Sequence, residues 1–424
     1  MMLRHMVDRK RMRRVLLVVP LCLAALLVGA IGPQWARAAG WTPLCYSDEV
    51  DLNGVACADA THLWAVGDQG AIFHSEDGGL SWAGQAPVTG TGYFAVACAD
   101  ATHVWAVGGT VVATTDGGVT WTRQEAANGM GLYGVACAGT ADAWAVGQYG
   151  TILHTTDGGT TWTPQTSGTL DHLFGVTCTD ADHAWAVGQN GAVLATTDGG
   201  TTWTPLPSGT TQNLTAVAHA DADHLWAVGS HGTVLVTIDG GAHWSLQDSG
   251  TTNILEAVAC PDAGHAWVGG FPLDDGKPTL LHTTDGGGTW ASLNGWLNAG
   301  VYGIACADAT HAWAVGTNGI VLAWDTVGPV TRAAATSGRR GHAIVLHYEV
   351  TDKLSVVAMA VRVVVRNSRS KTVRSFSLGA RKIAYWQRVS WVPGTRGTYH
   401  YYVYAKDLAG NTQSKHGLAK VVVR

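Results

Sequence analysis

Three sets of side chains with chemical potential recur at fixed places along this 424-residue chain. The thiols are Cys57, Cys98, Cys137, Cys178, Cys260 and Cys306, with His219 holding one further place in the series. The imidazoles are His62, His103, His183, His224, His265 and His311, with Asp142 substituting once. The carboxylates are Asp77, Asp116, Asp157, Asp198, Asp239 and Asp285. Thiolate and imidazole together can hold zinc, but the ligands must converge on one point at about 2.3 Å for sulfur. Two carboxylates about 5–9.5 Å apart can hydrolyse a glycoside. Regular spacing argues against both, because one residue per repeat spreads each set over a wide array. The cysteines are therefore expected as small buried apolar groups, too far apart for the Cα separation of roughly 4.4–6.8 Å that a disulfide needs. The histidines are expected to bond a nearby Asp in their own turns. The repeated aspartates should accept backbone N–H bonds inside theirs. A glycosidase would have to use the non-repeated acids Glu125, Glu256, Asp274 and Asp275. The sequence has no phosphate loop, zinc-spaced Cys pair or nucleophile elbow, and its Gly-Gly pairs read as turn formers. No metal and no cofactor is expected.

What must position these residues is a repeat. Trp-Ala-Val-Gly, or a close variant, begins at Trp64, Trp105, Trp144, Trp185, Trp226, Trp267 and Trp313. Asp-Gly-Gly-x-x-Trp follows six of these, closing on Trp82, Trp121, Trp162, Trp203, Trp244 and Trp290. Each unit reads as four short strands, in the third unit Tyr133–Cys137, Ala143–Gly147, Thr151–Thr155 and Trp162–Gln165. Four strands every ~40–45 residues is the period of a propeller blade. In Phe94-Ala95-Val96-Ala97-Cys98 the alternation places Phe94, Val96 and Cys98 on one face and the two alanines on the other. Large against small lets neighbouring sheets pack without voids. The seventh unit lacks the Asp motif and a fourth strand, and Trp41-Thr42-Pro43-Leu44 matches the fourth-strand starts Trp162-Thr163-Pro164 and Trp203-Thr204-Pro205-Leu206. The expected fold is all-β: a seven-bladed β-propeller over residues 39–328, closed by an N-terminal strand, then a small β-sandwich over residues 329–424.

Charge divides the chain in the same way. Residues 41–328 carry 27 acidic side chains against Arg123 and Lys277, whereas residues 329–424 carry 17 basic and three acidic ones. Such asymmetry speaks to partners, not fold. At the N-terminus, Arg9 to Arg14 followed by the apolar run Val15–Gly32 and Ala36-Arg37-Ala38 reads as a signal peptide over residues 1–38. General secretion fits it better than twin-arginine export, and an uncleaved anchor is the alternative. The mature chain is expected outside the cytoplasm, extracellular or at the envelope.

The unit Ser/Thr-x-Asp-Gly-Gly-x-Thr-Trp is the Asp box, or BNR repeat. With Val-Ala-Cys-Ala-Asp-Ala-Thr-His-x-Trp-Ala-Val-Gly before it, the arrangement resembles the photosystem II stability/assembly factor-like propeller family over about residues 41–325. The segment Gly397–Asn411 resembles the late hairpin of bacterial immunoglobulin-like or fibronectin-like modules. The first resemblance implies a non-catalytic propeller that binds membrane-protein intermediates, a scaffold or assembly factor. Sialidases also carry Asp boxes, but they clamp a carboxylate with three arginines. The ring here holds Arg123 alone, so no enzyme activity is expected. A glycan-binding or glycosidase-like propeller acting on extracellular polysaccharide is the alternative. The residues expected to meet a protein or envelope glycan are Tyr93, Phe94, Tyr133, Phe174 and Tyr302, just before or within the inner strands, with Lys277 in the insertion Phe271–Pro278. The competing reading has these aromatics seal the sheet interfaces. A nucleic-acid partner is not expected, and a monomer is. The basic C-terminal part would either contact anionic envelope polymers or lipid head groups or fold back on the acidic ring.

Overall fold

The computed structural model describes residues 41–45, 50–86, 90–125, 129–272, 277–293, 297, 299–324, 328–352, 357–382, 386–406, 411–413 and 415–424. The expected export segment and the acids Asp274 and Asp275 lie outside them. Regular structure among the described residues is β-strand, with short 3₁₀ turns. The chain is all-β and propeller-like, as the repeat requires.

Seven four-stranded antiparallel sheets follow one another. In the third they run Leu132–Cys137, Ala143–Gly147, Ile152–Thr155 and Thr163–Gln165. The last combines Val301–Asp308, His311–Gly316 and Val321–Trp324 with the N-terminal strand Trp41–Cys45. Trp41 stands opposite Trp324 and Thr42 opposite Ala323. The Trp41 indole is buried and meets Trp324 edge-on at 5.7 Å. Without this strand, Val321–Trp324 would be an unpaired edge.

The first strands of the seven sheets touch in a closed cycle. Small residues make the approach possible: a Cβ on Gly175 would stand 3.0 Å from the Ala216 Cα, and one on Gly134 would stand 3.0 Å from the Phe174 carbonyl oxygen. Second strands are buried on both faces, as Ala143–Gly147 illustrates. Their large side chains enter the neighbouring sheet. Trp105 and Val107 of the second sheet pack with Leu132, Ala143, Ala145 and Leu153 of the third.

Every first strand carries a β-bulge at the same place, between Leu52 and Gly54, Tyr93 and Ala95, Leu132 and Gly134, and so on around the ring. This corrects the simple alternation. Tyr93, not Phe94, shares the packed face with Val96 and Cys98, because the bulge adds one unpaired residue and re-aims its side chain. The second and third strands of most units join through tight hairpins with two left-handed residues, such as Tyr149 (φ 53°) and Gly150 (φ 68°). That conformation matches strand twist but is disfavoured for any residue with a Cβ outside Asn and Asp.

Two further sheets follow Gly328. One has three strands, Val330–Ala334, Ile344–Thr351 and Gln387–Trp391. The other has five, in the order Thr336–Gly338, Gly417–Val423, Gly397–Lys406, Val357–Asn367 and Thr372–Lys382. They share one core, in which Leu346, Tyr348 and Val350 meet Val361, Val363, Tyr401 and Val421. The Tyr401 hydroxyl donates to the His347 carbonyl oxygen and also bonds Ala334, which fastens the two sheets.

Candidate functional site

The repeated polar residues are absorbed by their own turns. In the third unit the Asp157 carboxylate accepts from the Thr155 hydroxyl (2.9 Å), the Thr161 N–H (2.8 Å) and the Thr161 hydroxyl (2.8 Å). Such bonds stabilise the charged form. The Thr120 hydroxyl and N–H hold the Asp116 carboxyl down to about 2, and His243 does the same for Asp239. The turn histidines behave alike. His183 Nδ1 lies 2.8 Å from Asp180 Oδ1 and draws that carboxyl down to about 2. Where Asp142 stands in for the turn histidine, it lies 3.7 Å from His154 Nε2. A carboxylate held this firmly ionised is a poor proton donor near neutral pH.

The six repeat cysteines are free thiols. Burial pushes Cys57 and Cys137 up to about 12, far from the thiolate that a metal or a nucleophile requires. In the place of the seventh, His219 Nδ1 lies 2.6 Å from the Thr177 hydroxyl. No group of three His, Cys, Asp or Glu among the described residues is placed to hold a metal ion.

Three of the six Asp-box tryptophans serve a bond that the repeat did not announce. Trp121, Trp162 and Trp203 each donate their indole N–H to a glutamine of the preceding sheet, respectively Gln85 (3.0 Å), Gln124 (2.9 Å) and Gln165 (2.9 Å). Gln124 and Gln165 return a bond to the Gly158 and Gly199 carbonyl oxygens. Leu206 occupies the same place in the next sheet. There the Trp244 indole N–H has no partner, and Trp185 donates to the Gly240 carbonyl oxygen instead, at 2.8 Å. The ring joint repeats this exception. Leu44 follows Pro43 as Leu206 follows Pro205, and Trp313 donates to the Gly78 carbonyl oxygen at 2.9 Å.

The bulges assemble an irregular surface. The bulged residues are Asn53, Phe94, Tyr133, Phe174, Thr215, Glu256 and Tyr302, one per sheet at the start of the innermost strand. They therefore share one end of the ring, with the second-to-third strand hairpins. Tyr133 sits centrally among three expected residues, 5.8 Å from the Phe94 ring and 5.7 Å from Phe174. The arc continues outward through His172, 5.0 Å edge-on from Tyr149. His172 Nδ1 accepts the Tyr149 N–H at 2.9 Å, so the proton of the neutral ring sits on Nε2. Tyr149 is 57% exposed and Leu170, on the adjoining loop, 82%. Gln148 donates to the Tyr133 hydroxyl at 3.1 Å and holds it from beneath.

Other expected residues fall elsewhere. Tyr93 is fully buried and is a core residue, displaced from the surface by the bulge that follows it. Tyr302 accepts from the Thr317 hydroxyl (2.8 Å) and packs edge-on with Phe271 (6.3 Å), and the Asn53 sheet separates it from Phe94. The Lys277 side chain is exposed in the sixth unit, where its carbonyl oxygen accepts from Asn253. Tyr149 and Leu170 were missed. The one signal was an aromatic residue at a hairpin position that prefers Asn or Gly.

The chain matches the family model described as Photosynthesis system II assembly factor YCF48 over residues 89–169 and 205–322. No curated protein sequence matches it. Among solved structures, YCF48 from Cyanidioschyzon merolae superposes with a TM-score of 0.56 at 21% identity, covering 68% of this chain and 99% of that one. YCF48 bound to D1 peptide gives 0.57 at 21%, covering 70% and 99%. Streptogramin B lyase gives 0.57 at 15%, covering 69% and 100%. At these identities the superpositions establish the fold, which hosts both binders and enzymes.

Proposed function

The ring is a photosystem II assembly factor-like Asp-box propeller, and from that premise we propose that it is a non-catalytic protein-binding scaffold or assembly factor, exported to the envelope or the exterior. The observation that carries this reading is the aromatic arc of Phe94, Tyr133, Phe174, His172 and Tyr149, which runs from the ring mouth to the exposed Leu170. Large rigid aromatic surface with few charges is what a protein-binding centre uses. The peptide-bound state of YCF48 supports a protein partner. A count of seven blades is supported by the seven four-stranded sheets and the cycle of their first strands. A sandwich over residues 329–424 is supported by the two sheets that share one core. That module, we propose, contributes an anionic envelope contact, and its 17 basic side chains support this.

The test is capture of partners from the envelope fraction by the full chain, with Tyr149→Ala and Leu170→Ser as variants. Both side chains are exposed, so melting should stay near wild type while capture falls. The double variant Tyr133→Ala/Phe174→Ala should abolish capture. Lowered melting with undiminished capture in all variants would assign the arc to packing alone. Capture that survives all of these but is lost on adding a soluble polysaccharide would favour a glycan partner.

A further inference from the structure

The five-stranded sheet has two unlike faces. Val361, Val363, Tyr399, Tyr401 and Val421 point into the core. Strict alternation puts Arg362 and Arg366, Tyr402, Tyr404 and Lys406, and Leu418 and Lys420 on the other face. The register joins them into rows, with Arg362 beside Tyr404, Arg366 beside His400, and Tyr402 beside Leu418. Arg362 lies over the Tyr404 ring and Arg366 over the Tyr402 ring, each 4.9 Å from the centroid. Among the described residues neither arginine pairs with a carboxylate, whereas Arg332 on the three-stranded sheet lies 3.7 Å from Glu349. Arg362 and Lys420 are exposed, and Leu418 is 54% exposed.

We propose that this face docks flat on an anionic lipid bilayer surface. The inference deepens the envelope-contact reading above and rests on it for the anionic surface. Three observations select this occupant. The face is an open sheet surface without acidic side chains among its described residues, which suits an array of head groups better than a groove-seeking polymer. Its tyrosine rings are already covered by guanidinium groups, so they are not platforms for bases or for sugar rings. Instead the stacking orients the guanidinium groups, the exposed Arg362 with its N–H edges ready for phosphate oxygens and Arg366 half-buried beside it with its Nε covered. Leu418 adds an aliphatic contact at the same level. Four cations, Arg362, Arg366, Lys406 and Lys420, then act together, each raising partitioning roughly five-fold.

The experiment is co-sedimentation of the full chain with vesicles of phosphatidylglycerol and phosphatidylcholine, and with phosphatidylcholine alone, at low and high salt. Binding should require phosphatidylglycerol and weaken with salt. Arg362→Gln/Arg366→Gln should lower partitioning roughly 25-fold. Lys406→Gln/Lys420→Gln, which leaves the stacked rings intact, should do the same. Arg332→Gln/Arg388→Gln changes the net charge equally on the outer face of the three-stranded sheet, and should stay near wild type. Equal loss in all three doubles would overturn the inference, since net charge and not this face would be the cause. So would binding to single-stranded DNA or an acidic polysaccharide without binding to vesicles. If the wild-type chain sediments with native envelopes but not with pure vesicles, the envelope reading stands and this inference falls. If it sediments with neither, both fall.

Discussion

Replacing Gln165 by Leu tests whether the glutamine amides are what join neighbouring sheets. The amide accepts from the Trp203 indole N–H and donates to the Gly199 carbonyl oxygen, both at 2.9 Å. Each such bond contributes about 1 kcal/mol net, and an orphaned buried donor costs about 1–3 kcal/mol. Trp203 is buried, so the gross loss is about 2–4 kcal/mol. The molecule contains its own answer to this loss. At the natural leucine, Leu206, Trp185 reaches across to the Gly240 carbonyl oxygen. The equivalent Trp144 indole N–H has no partner now and can reach Gly199 once the amide is gone. That recovers about 1 kcal/mol. The net cost is then roughly 1–3 kcal/mol, a fall in melting temperature of roughly 2–6 °C for a ring of this size. Scanning calorimetry measures the fall, and the indole N–H resonances of Trp144 and Trp203 report the exchange of partners. An unchanged melting temperature would refute the clip. A Trp144 indole N–H resonance that does not move in the variant would refute the compensation.

Gly175→Val should destabilise the ring by several kcal/mol, because even its Cβ would meet Ala216 Cα at 3.0 Å; chemical denaturation measures it. Removing residues 41–45 should expose the Val321–Trp324 edge and give oligomers on size-exclusion chromatography. Stability should also fall with acid in two stages. Burial depresses His282 to about 4 and lowers His74, His154 and His219 as well. The unfolded chain therefore binds more protons than the native one between pH ~6.5 and ~4, and stability drops as pH falls through that range. A second loss follows between the unfolded carboxyl value of 3.8 and about 2, where Asp116, Asp180 and Asp239 are protonated. Melting curves from pH 7 to pH 2 should show both stages. His282→Phe, which keeps an aromatic ring stacked against Trp267, should shrink the first.

The ring was legible because the first six sheets repeat the same demands: a bulky second-strand Trp, a saturated Asp turn and a small first-strand residue for the neighbour. Even the closing strand could be read, since Trp41-Thr42-Pro43 copies Trp162-Thr163-Pro164. The bulges were not legible. A bulge is a property of the register between two strands, and Tyr93-Phe94 carries no local mark of which residue stays in the ladder. Misplacing it by one put Tyr93 at the surface. Gln85, Gln124, Gln165 and Gln247 each lie three residues after an Asp-box Trp, a periodic signal broken at Leu206 and Leu293 and hidden by the more frequent Gly and Thr, and at Gln247 the facing Trp290 indole N–H is left without a partner. Tyr149 escaped because its exposure arises from a left-handed hairpin in one sheet and a histidine in the next.

The seven bulged residues belong to no ladder, but they are not equally free to change: buried Asn53 donates to the Tyr93 carbonyl oxygen and Thr215 to the Leu255 carbonyl oxygen, each in the next sheet, whereas the Phe94, Tyr133 and Phe174 rings are half-buried. Asn53, Phe94, Tyr133, Phe174, Thr215, Glu256 and Tyr302 already span amide, aromatic, hydroxyl and acid on identical supports. The mouth is in effect a seven-letter word written on an invariant page. Under the proposed binding role, point changes at Phe94, Tyr133 and Phe174 would respell the partner with the least disturbance of the fold, which makes these three the natural positions to diversify in a library.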